Sequence, residues 1–472
     1  MNPPLTPAPA PRADSVRPLR WPEMLGYGLG DVGFGVYWKT FEALLLLFYT
    51  DVFGISPAQA GTILLVTRVS DAVTDPLMGM LADRTKTRWG KFRPYLLWMS
   101  LPLAAAAVLT FTTPNLDQAG KLVYAYVTYI FVMIMYTAAN IPYGAMLGVI
   151  TPDVKKRTTV STVKLVGAFS GGTLFMPIIP KLAAWLGQGD AATGWQRAMI
   201  VLGAVAVALL FVTFWTTRER VSPPPHQKPM MKRDLGDLVR NGPWLTLFAL
   251  GFVVILTIAI RNNAFAYYIQ YYAQVPSADL ENVRYWFLMA TQAPYAVGAA
   301  LTPWLSRYFD KKQLFTYLMV GVALLCGVLY MVPRDALWAM FAVNIGISLV
   351  LGPKSVLSWA MFADSADFSE WRTGRRATGL VFAAATFSVK LGGGVAGWLS
   401  GKLLQSVGYV PNQEQSATAL TGIVVLSSVL PGACALAAAG IVRLYSLTGP
   451  KLALIQHELE RRRAAEGAGP TS

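Results

Sequence analysis

The stretch VTRVSDAVTDP places Arg68, Asp71 and Asp75 at i, i+3 and i+7, so a helix carries all three on one face. Two carboxylates one turn apart make an oxygen ligand set suited to a hard monovalent cation, and without the cation their mutual repulsion favours binding a proton instead. The structural alternative is that Asp71 merely pairs with Arg68 while Asp75 caps the kink at Pro76. Lys390, in TFSVKLGGGVAGW, is a lone cation in an apolar, glycine-rich stretch. It needs an anion, and the acid pair is the nearest supply, which ties the two ends of the chain together either for coupling or as an ion pair alone. Gly392, Gly393 and Gly394 read as close helix packing, because no strand precedes them to make a phosphate loop.

Other polar residues recur inside apolar runs. Asp31, in GYGLGDVGFG, sits in a helix softened by glycines, where it can accept hydrogen bonds from a ligand's hydroxyls or cap a distorted turn. Lys39 and Glu42 are three apart and neutralise each other. Thr137, Asn140 and Tyr143 align in MYTAANIPYGA, Lys164 follows, and Arg261, Asn262 and Asn263 precede AYYIQYY, with Gln292 beyond. Polar groups beside aromatic rings suit a polyhydroxylated ligand, although tyrosines at a membrane end are also ordinary interfacial residues. Two charged connections complete the set. MGMLADRTKTRWGKFRP holds Asp83, Arg84 and Arg88, and FADSADFSEWRTGRR holds Asp364, Asp367 and Glu370 beside Arg372, Arg375 and Arg376. Both read as gates built from carboxylate–arginine clamps, or as surface salt bridges with a topological bias.

The elements that must position these residues are membrane helices. Only 14% of the 472 residues are charged, against about 25% in a soluble chain, while 54% are hydrophobic. Apolar runs of span length begin near Met24, Ala58, Lys91, Lys121, Thr158, Gln196, Pro243, Asn282, Lys312, Ala336, Ala377 and Ala417. With the N-terminus inside, 28 of the 40 basic residues fall on inner connections, which fixes an even number of spans with both ends cytoplasmic. The net charge of +15 is thereby accounted for by topology, with no basic domain for nucleic acid. Cys326 and Cys434 lie in apolar stretches and His226 and His457 in connections, so a disulfide framework, a Cys or His metal centre and an imidazole proton relay are excluded. The proline-rich N-terminus lacks the apolar core of a cleaved signal peptide.

GYGLGD, YTDVFGIS, RVSDAVTDPLMGMLADRTKTRWGKFRP, NIPYGA, DSADFSEW and SVKLGGG occur in an order and spacing that resembles the glycoside-pentoside-hexuronide:cation symporters of the major facilitator superfamily, from about Gly26 to Leu447. The resemblance implies a twelve-helix fold in two bundles, alternating access, and sugar uptake with Na⁺, Li⁺ or H⁺. It makes Asp71 and Asp75 the cation-binding acids, Thr137 a cation-site threonine and Lys390 the lysine beside them. Thr74 stands where Na⁺-coupled melibiose permeases have asparagine, so the choice between Na⁺ and H⁺ stays open. The sugar half departs from melibiose permease. Gly35 replaces its galactoside-binding aspartate, Asn140 another acid, Gly144 a tryptophan and Lys164 an arginine, a pattern closer to the xyloside and glucuronide branches. Asp31 then takes over hydroxyl binding, and Lys164 and Arg261 receive a uronate carboxylate.

The sequence therefore implies an all-α membrane protein of the major facilitator fold, with twelve transmembrane helices in two six-helix bundles. Its parts are a cytoplasmic arm (1–22), bundles over 23–217 and 241–447, a cytoplasmic linker (218–240) and a cytoplasmic tail (448–472). The expected function is cation-coupled symport of a sugar or glycoside in a bacterial inner membrane, by a monomer, with no cofactor beyond Na⁺ or H⁺ and no enzymatic activity. Transport of an amphipathic, lipid-like molecule on the same scaffold is the alternative.

Overall fold

In the computed structural model the described residues are 19–151, 153–220, 236, 240–373 and 378–467. Most of the expected arm and linker lie outside them, as do His226, Arg375 and Arg376. Among the described residues there is no strand. The helices are α1 (Trp21–Leu47), α2 (Pro57–Arg84), α3 (Pro94–Thr110), α4 (Gln118–Met146), α5 (Val154–Gly187), α6 (Ala191–Thr216), α7 (Gly242–Tyr267), α8 (Leu280–Leu305), α9 (Lys311–Met331), α10 (Leu337–Thr373), α11 (Thr378–Ser406), α12 (Ala417–Ser427), α13 (Val429–Val442) and α14 (Gly449–Gly467). Each of the twelve expected starts lies within five residues of a helix start.

Local chemistry explains why the helices begin where they do. Ser56 opens α2 with a capping box to Gln59 and Pro57 at the first position. Asp117, Asn241, Asp310 and Ser416 cap α4, α7, α9 and α12 by accepting backbone N–H bonds. Asp190 does the same for α6, where the Thr193 hydroxyl and two backbone amides hold its carboxyl below the ordinary value. Glu219 accepts from the amides of Lys91, Phe92 and Arg93 at 2.7–3.0 Å, fastening the loop before α3 to the end of α6.

Among the described residues seven helical segments, one of them α12 with α13, are long and apolar enough to cross a membrane, α3 is a 17-residue apolar helix, and the more polar or glycine-rich α2 and α11 pack on each other between the halves. Large apolar side chains such as Trp215, Leu324 and Trp338 stand exposed on the outside of the molecule, as a lipid-facing perimeter requires. α1, α5 and α6 pack together, and α2 and α3 join them through α4 and α6. In the second half α7 packs on α11 and α13, and α8 on α10. The halves meet along α2–α11, α5–α8 and α1–α7.

Three features differ from the sequence reading. The twelfth apolar run breaks at Ser428, three residues before Pro431, giving α12 and α13. The tail is helical: Leu452, Ile455 and Leu459, at i, i+3 and i+7, bury one face of α14, and Glu458 accepts a bond from the Trp371 indole of α10. Finally, α1 and α7 end in π-helical turns, Phe48–Phe53 and Tyr268–Tyr272, at matching places in the two halves.

Candidate functional site

Arg68, Asp71 and Asp75 share the face of α2 that meets α4 and α11. That approach depends on small residues: a Cβ on Gly394 would lie 2.6 Å from Arg68 Cγ, and one on Gly401 would lie 2.1 Å from the Pro57 carbonyl. Lys390 is thereby brought to the acids. Its Nζ stands 2.5 Å from Asp75 Oδ2 and 3.5 Å from Asp71 Oδ2. Arg68 pairs with the same Asp71 oxygen at 3.3 Å, donates to the Tyr129 hydroxyl and lies 4.5 Å from the centre of the Trp38 ring. Thr137 donates to Asp75 Oδ1 at 2.9 Å. Two cations thus face two carboxylates, with Asp71 only 1% exposed. Asp71 Oδ1 and Thr74 Oγ1 are buried with no hydrogen-bond partner among the described residues, two oxygens within one turn that an added cation would satisfy. The cluster can therefore exchange an ammonium for a cation without changing its net charge.

Lys390 and Arg68 also line a cavity of about 900 Å³ between the halves, within the range of about 300–1,000 Å³ for small-molecule sites. Asp31, Lys164, Arg261, Asn262, Asn263 and Gln292 line it too, so the structure brings six of the expected substrate residues together. Lys164 does not stand free: it pairs with Asp31 at 3.5 Å. Asn262 donates to Glu42, whose other oxygen pairs with Lys39 at 2.8 Å. Gln292 lies 3.1 Å from the Met176 sulfur across the α5–α8 contact. Asn140 and Tyr143 are not part of the lining. Tyr143 packs its ring against Tyr27 and donates to the Tyr27 carbonyl at 2.7 Å, in a slot left by Gly30, whose added Cβ would lie 2.6 Å from that ring. Its hydroxyl is spent on backbone, and its ring lies 5.4 Å from the cavity-lining Lys164 Nζ.

The expected clamps also take other partners. Asp83 pairs with Lys91 at 2.8 Å and Asp364 with Lys311 at 2.7 Å, each within its own half, while Arg88 lies over Trp89. Arg372 donates to the Arg240 carbonyl at 3.1 Å. Arg84 is exposed at the end of α2, Asp367 lies on α10, and Arg376 lies outside the described residues.

At the opposite end a different acid joins the halves. Asp51, in the π-helical turn after α1, accepts hydrogen bonds from the Tyr409 hydroxyl at 2.7 Å and from the Tyr271 hydroxyl, both of the second half. Asn412 donates to the Asp51 carbonyl at 2.7 Å, and Thr50 meets Tyr267 at 2.8 Å. In the sequence Asp51 is part of the YTDVFGIS motif, and its signal is an acid amid aromatics at the end of an apolar run. Lys354, another cavity residue without an assigned role, carried the same signal as Lys390, a lone cation within an apolar span.

An ion-pair cluster beside a cavity between two helical halves is a transporter's arrangement, and the comparisons agree. The profile of the family described as MFS/sugar transport protein matches residues 26–449. The chain belongs to that family. It is 34% identical to the inner membrane symporter YicJ of Escherichia coli (strain K12) over 93% of this chain and 94% of that one. It is 35% identical to the isoprimeverose transporter of Lactiplantibacillus pentosus over 85% of this chain and 84% of that one. Among solved structures, a D-xylose-proton symporter superposes with a TM-score of 0.67 at 14% identity, covering 89% of this chain and 97% of the other, a likeness of fold. Membership makes the protein a transporter and not an enzyme.

Proposed function

We propose that this multi-pass protein of the bacterial inner membrane imports a sugar or glycoside by symport with a monovalent cation, Na⁺ or H⁺, through alternating access. The observation that carries the reading is the acid pair, faced by a lysine from the other half and keeping an unsatisfied carboxylate oxygen beside an unsatisfied threonine hydroxyl. Asp71 and Asp75 bind the cation with Thr74 and Thr137, and its arrival displaces the Lys390 ammonium. A coupling free energy of about 1–3 kcal/mol between that exchange and sugar binding is enough for symport. Trp38 and Trp359 on the cavity wall offer rings for sugar faces, and Asn262, Asn263, Gln292 and Asp31 offer hydrogen bonds for hydroxyls. Relatives named as symporters and as an isoprimeverose transporter support a sugar as cargo, with a pentoside or hexuronide favoured over melibiose.

The topology that goes with this reading has twelve spans, with α12 and α13 forming one broken span, in two six-helix bundles over 23–217 and 241–447. The basic connections, the linker (218–240), both termini and α14 are cytoplasmic. The Asp51 cluster then closes the outer side, and the Asp83 and Asp364 pairs brace each bundle at the inner gate. A monomer suffices, because the two halves of one chain enclose the cavity.

Uptake into proteoliposomes under imposed Na⁺ or H⁺ gradients tests the cation site. Asp75→Asn should abolish gradient-driven accumulation while sparing some exchange. If the variant still concentrates sugar, the assignment is wrong.

A further inference from the structure

The stretch of α1 from Trp38 to Glu42 touches three parts of the molecule. Trp38 lies under Arg68 of the acid cluster, with the guanidinium 4.5 Å from its ring centre. Lys39 runs its stem against α5, where a Cβ on Gly172 would lie 3.2 Å from Lys39 Cγ, and its ammonium holds one Glu42 oxygen at 2.8 Å. The other Glu42 oxygen accepts from the Asn262 amide of α7, in the opposite half, at 3.3 Å. Lys39, Glu42 and Asn262 all line the cavity.

The two bonds of Glu42 differ in kind. The ion pair to Lys39 is short and set by i, i+3 spacing on one helix, whereas the bond to Asn262 is longer than the usual value of about 2.9–3.0 Å and crosses between the halves. Packing alone needs no ion pair here, because apolar side chains of similar volume fill a membrane interior at less cost. An acceptor-only carboxylate facing an amide N–H is completed by one hydroxyl, which donates to the first and accepts from the second. A carboxylate on the cargo has no proton to donate and is repelled by Glu42, and an ammonium has no lone pair to accept with. The same two helices meet again further out, at Thr50 with Tyr267 and at Asp51 with Tyr271. Glu42 lies two turns inward of Thr50, roughly 12 Å along α1.

Resting on the symporter reading, we propose that Glu42 and Asn262 take one ring hydroxyl of the cargo between them, exchanging their direct bond for a bridge through the sugar, and that this bridge ties cargo occupancy to the α1–α7 seam. Lys39 is a positioning residue, which neutralises the carboxylate and fixes its rotation. Two hydrogen bonds through the hydroxyl, one of them charge-assisted, replace one long direct bond. The bridge forms only while α1 and α7 are together, so cargo held in it favours the arrangement closed on the outer side, and a cargo lacking that hydroxyl does not. The penalty for a missing hydroxyl stays moderate, because Glu42 and Asn262 then close on each other again.

The test uses the full-length purified protein and four neutral ligands, methyl β-D-xylopyranoside and its 2-, 3- and 4-deoxy derivatives, with binding read by calorimetry in Na⁺ and, separately, at low pH. One deoxy derivative should bind about tenfold or more weakly than the parent. Asn262→Ala, which leaves Glu42 its lysine, and the neutral double variant Lys39→Met with Glu42→Leu should each erase that penalty at the same ring position and keep the other two ratios. With Cys326 and Cys434 replaced, the parent sugar at saturation should slow outside labelling of a cysteine at Ile258 about threefold more than that one deoxy derivative does. Deoxy derivatives all within about threefold of the parent, equal weakening of all four ligands in either variant, penalties erased at different positions by the two variants, equal protection of Ile258, or no binding of the parent overturns the proposal. Gradient-driven uptake of the parent without a position-specific penalty would remove the bridge and leave symport standing. A position-specific penalty without gradient-driven uptake would do the reverse.

Discussion

Replacing Asp51 by asparagine keeps the shape of the side chain and removes its charge. In the closed arrangement its two oxygens accept from two tyrosines of the opposite half, Tyr409 at 2.7 Å and Tyr271. Hydrogen bonds to a charged group contribute about 1.5–3 kcal/mol each and neutral ones about 0.5–1.5. The amide has one acceptor oxygen, so one phenol bond is lost and the other becomes neutral. Solvent around this half-buried site reduces the difference, leaving a loss of about 2–3 kcal/mol, which moves the equilibrium about 30- to 160-fold toward the state open at this end. Accessibility measures it directly. With Cys326 and Cys434 replaced, a cysteine at the cavity-lining Ile258 should react with a membrane-impermeant reagent from the outside at least tenfold faster in Asp51→Asn than in its parent. An unchanged outer labelling rate, in a variant with an unchanged unfolding temperature, would refute the closing role of Asp51.

Lys390→Met leaves Asp71 and Asp75 with Arg68 as their one cation, a loss of about 3–5 kcal/mol for an unbalanced buried charge. Its unfolding temperature in Na⁺-free buffer should fall and recover with Na⁺, Li⁺ or acid, since each restores a positive charge to the pair; a drop that none of them reverses would argue against a shared cation site. Gly401→Ala drives a methyl into the Pro57 carbonyl, and overpacking of this kind costs about 1–3 kcal/mol. It should separate α11 from α2, slow transport and lower thermal stability, and normal values of both would show that the α2–α11 contact is softer than its geometry indicates.

The helix-forming segments were legible because apolar length and charge clusters are one-dimensional signals. Where the sequence carries a lone charge in an apolar run, as at Asp71, Asp75 and Lys390, it also marks the residues that tertiary contacts must pair. It does not show that the Tyr143 hydroxyl is taken by the Tyr27 carbonyl, 116 residues away. Asp364 takes a partner the local pattern does not show, Lys311 of α9.

Composition and spacing by themselves determined that this chain is a helical membrane protein, where its helices begin and which few ionisable groups lie within them. Those properties follow from transfer free energies of single residues and from local backbone chemistry. Only the tertiary structure decided which charges neutralise one another, because Lys390 is more than three hundred residues from the acids it meets, and a close glycine contact between α2 and α11 sets that meeting. It also placed Asp51 among tyrosines of the other half. Those pairings depend on how whole helices pack, which no local pattern encodes.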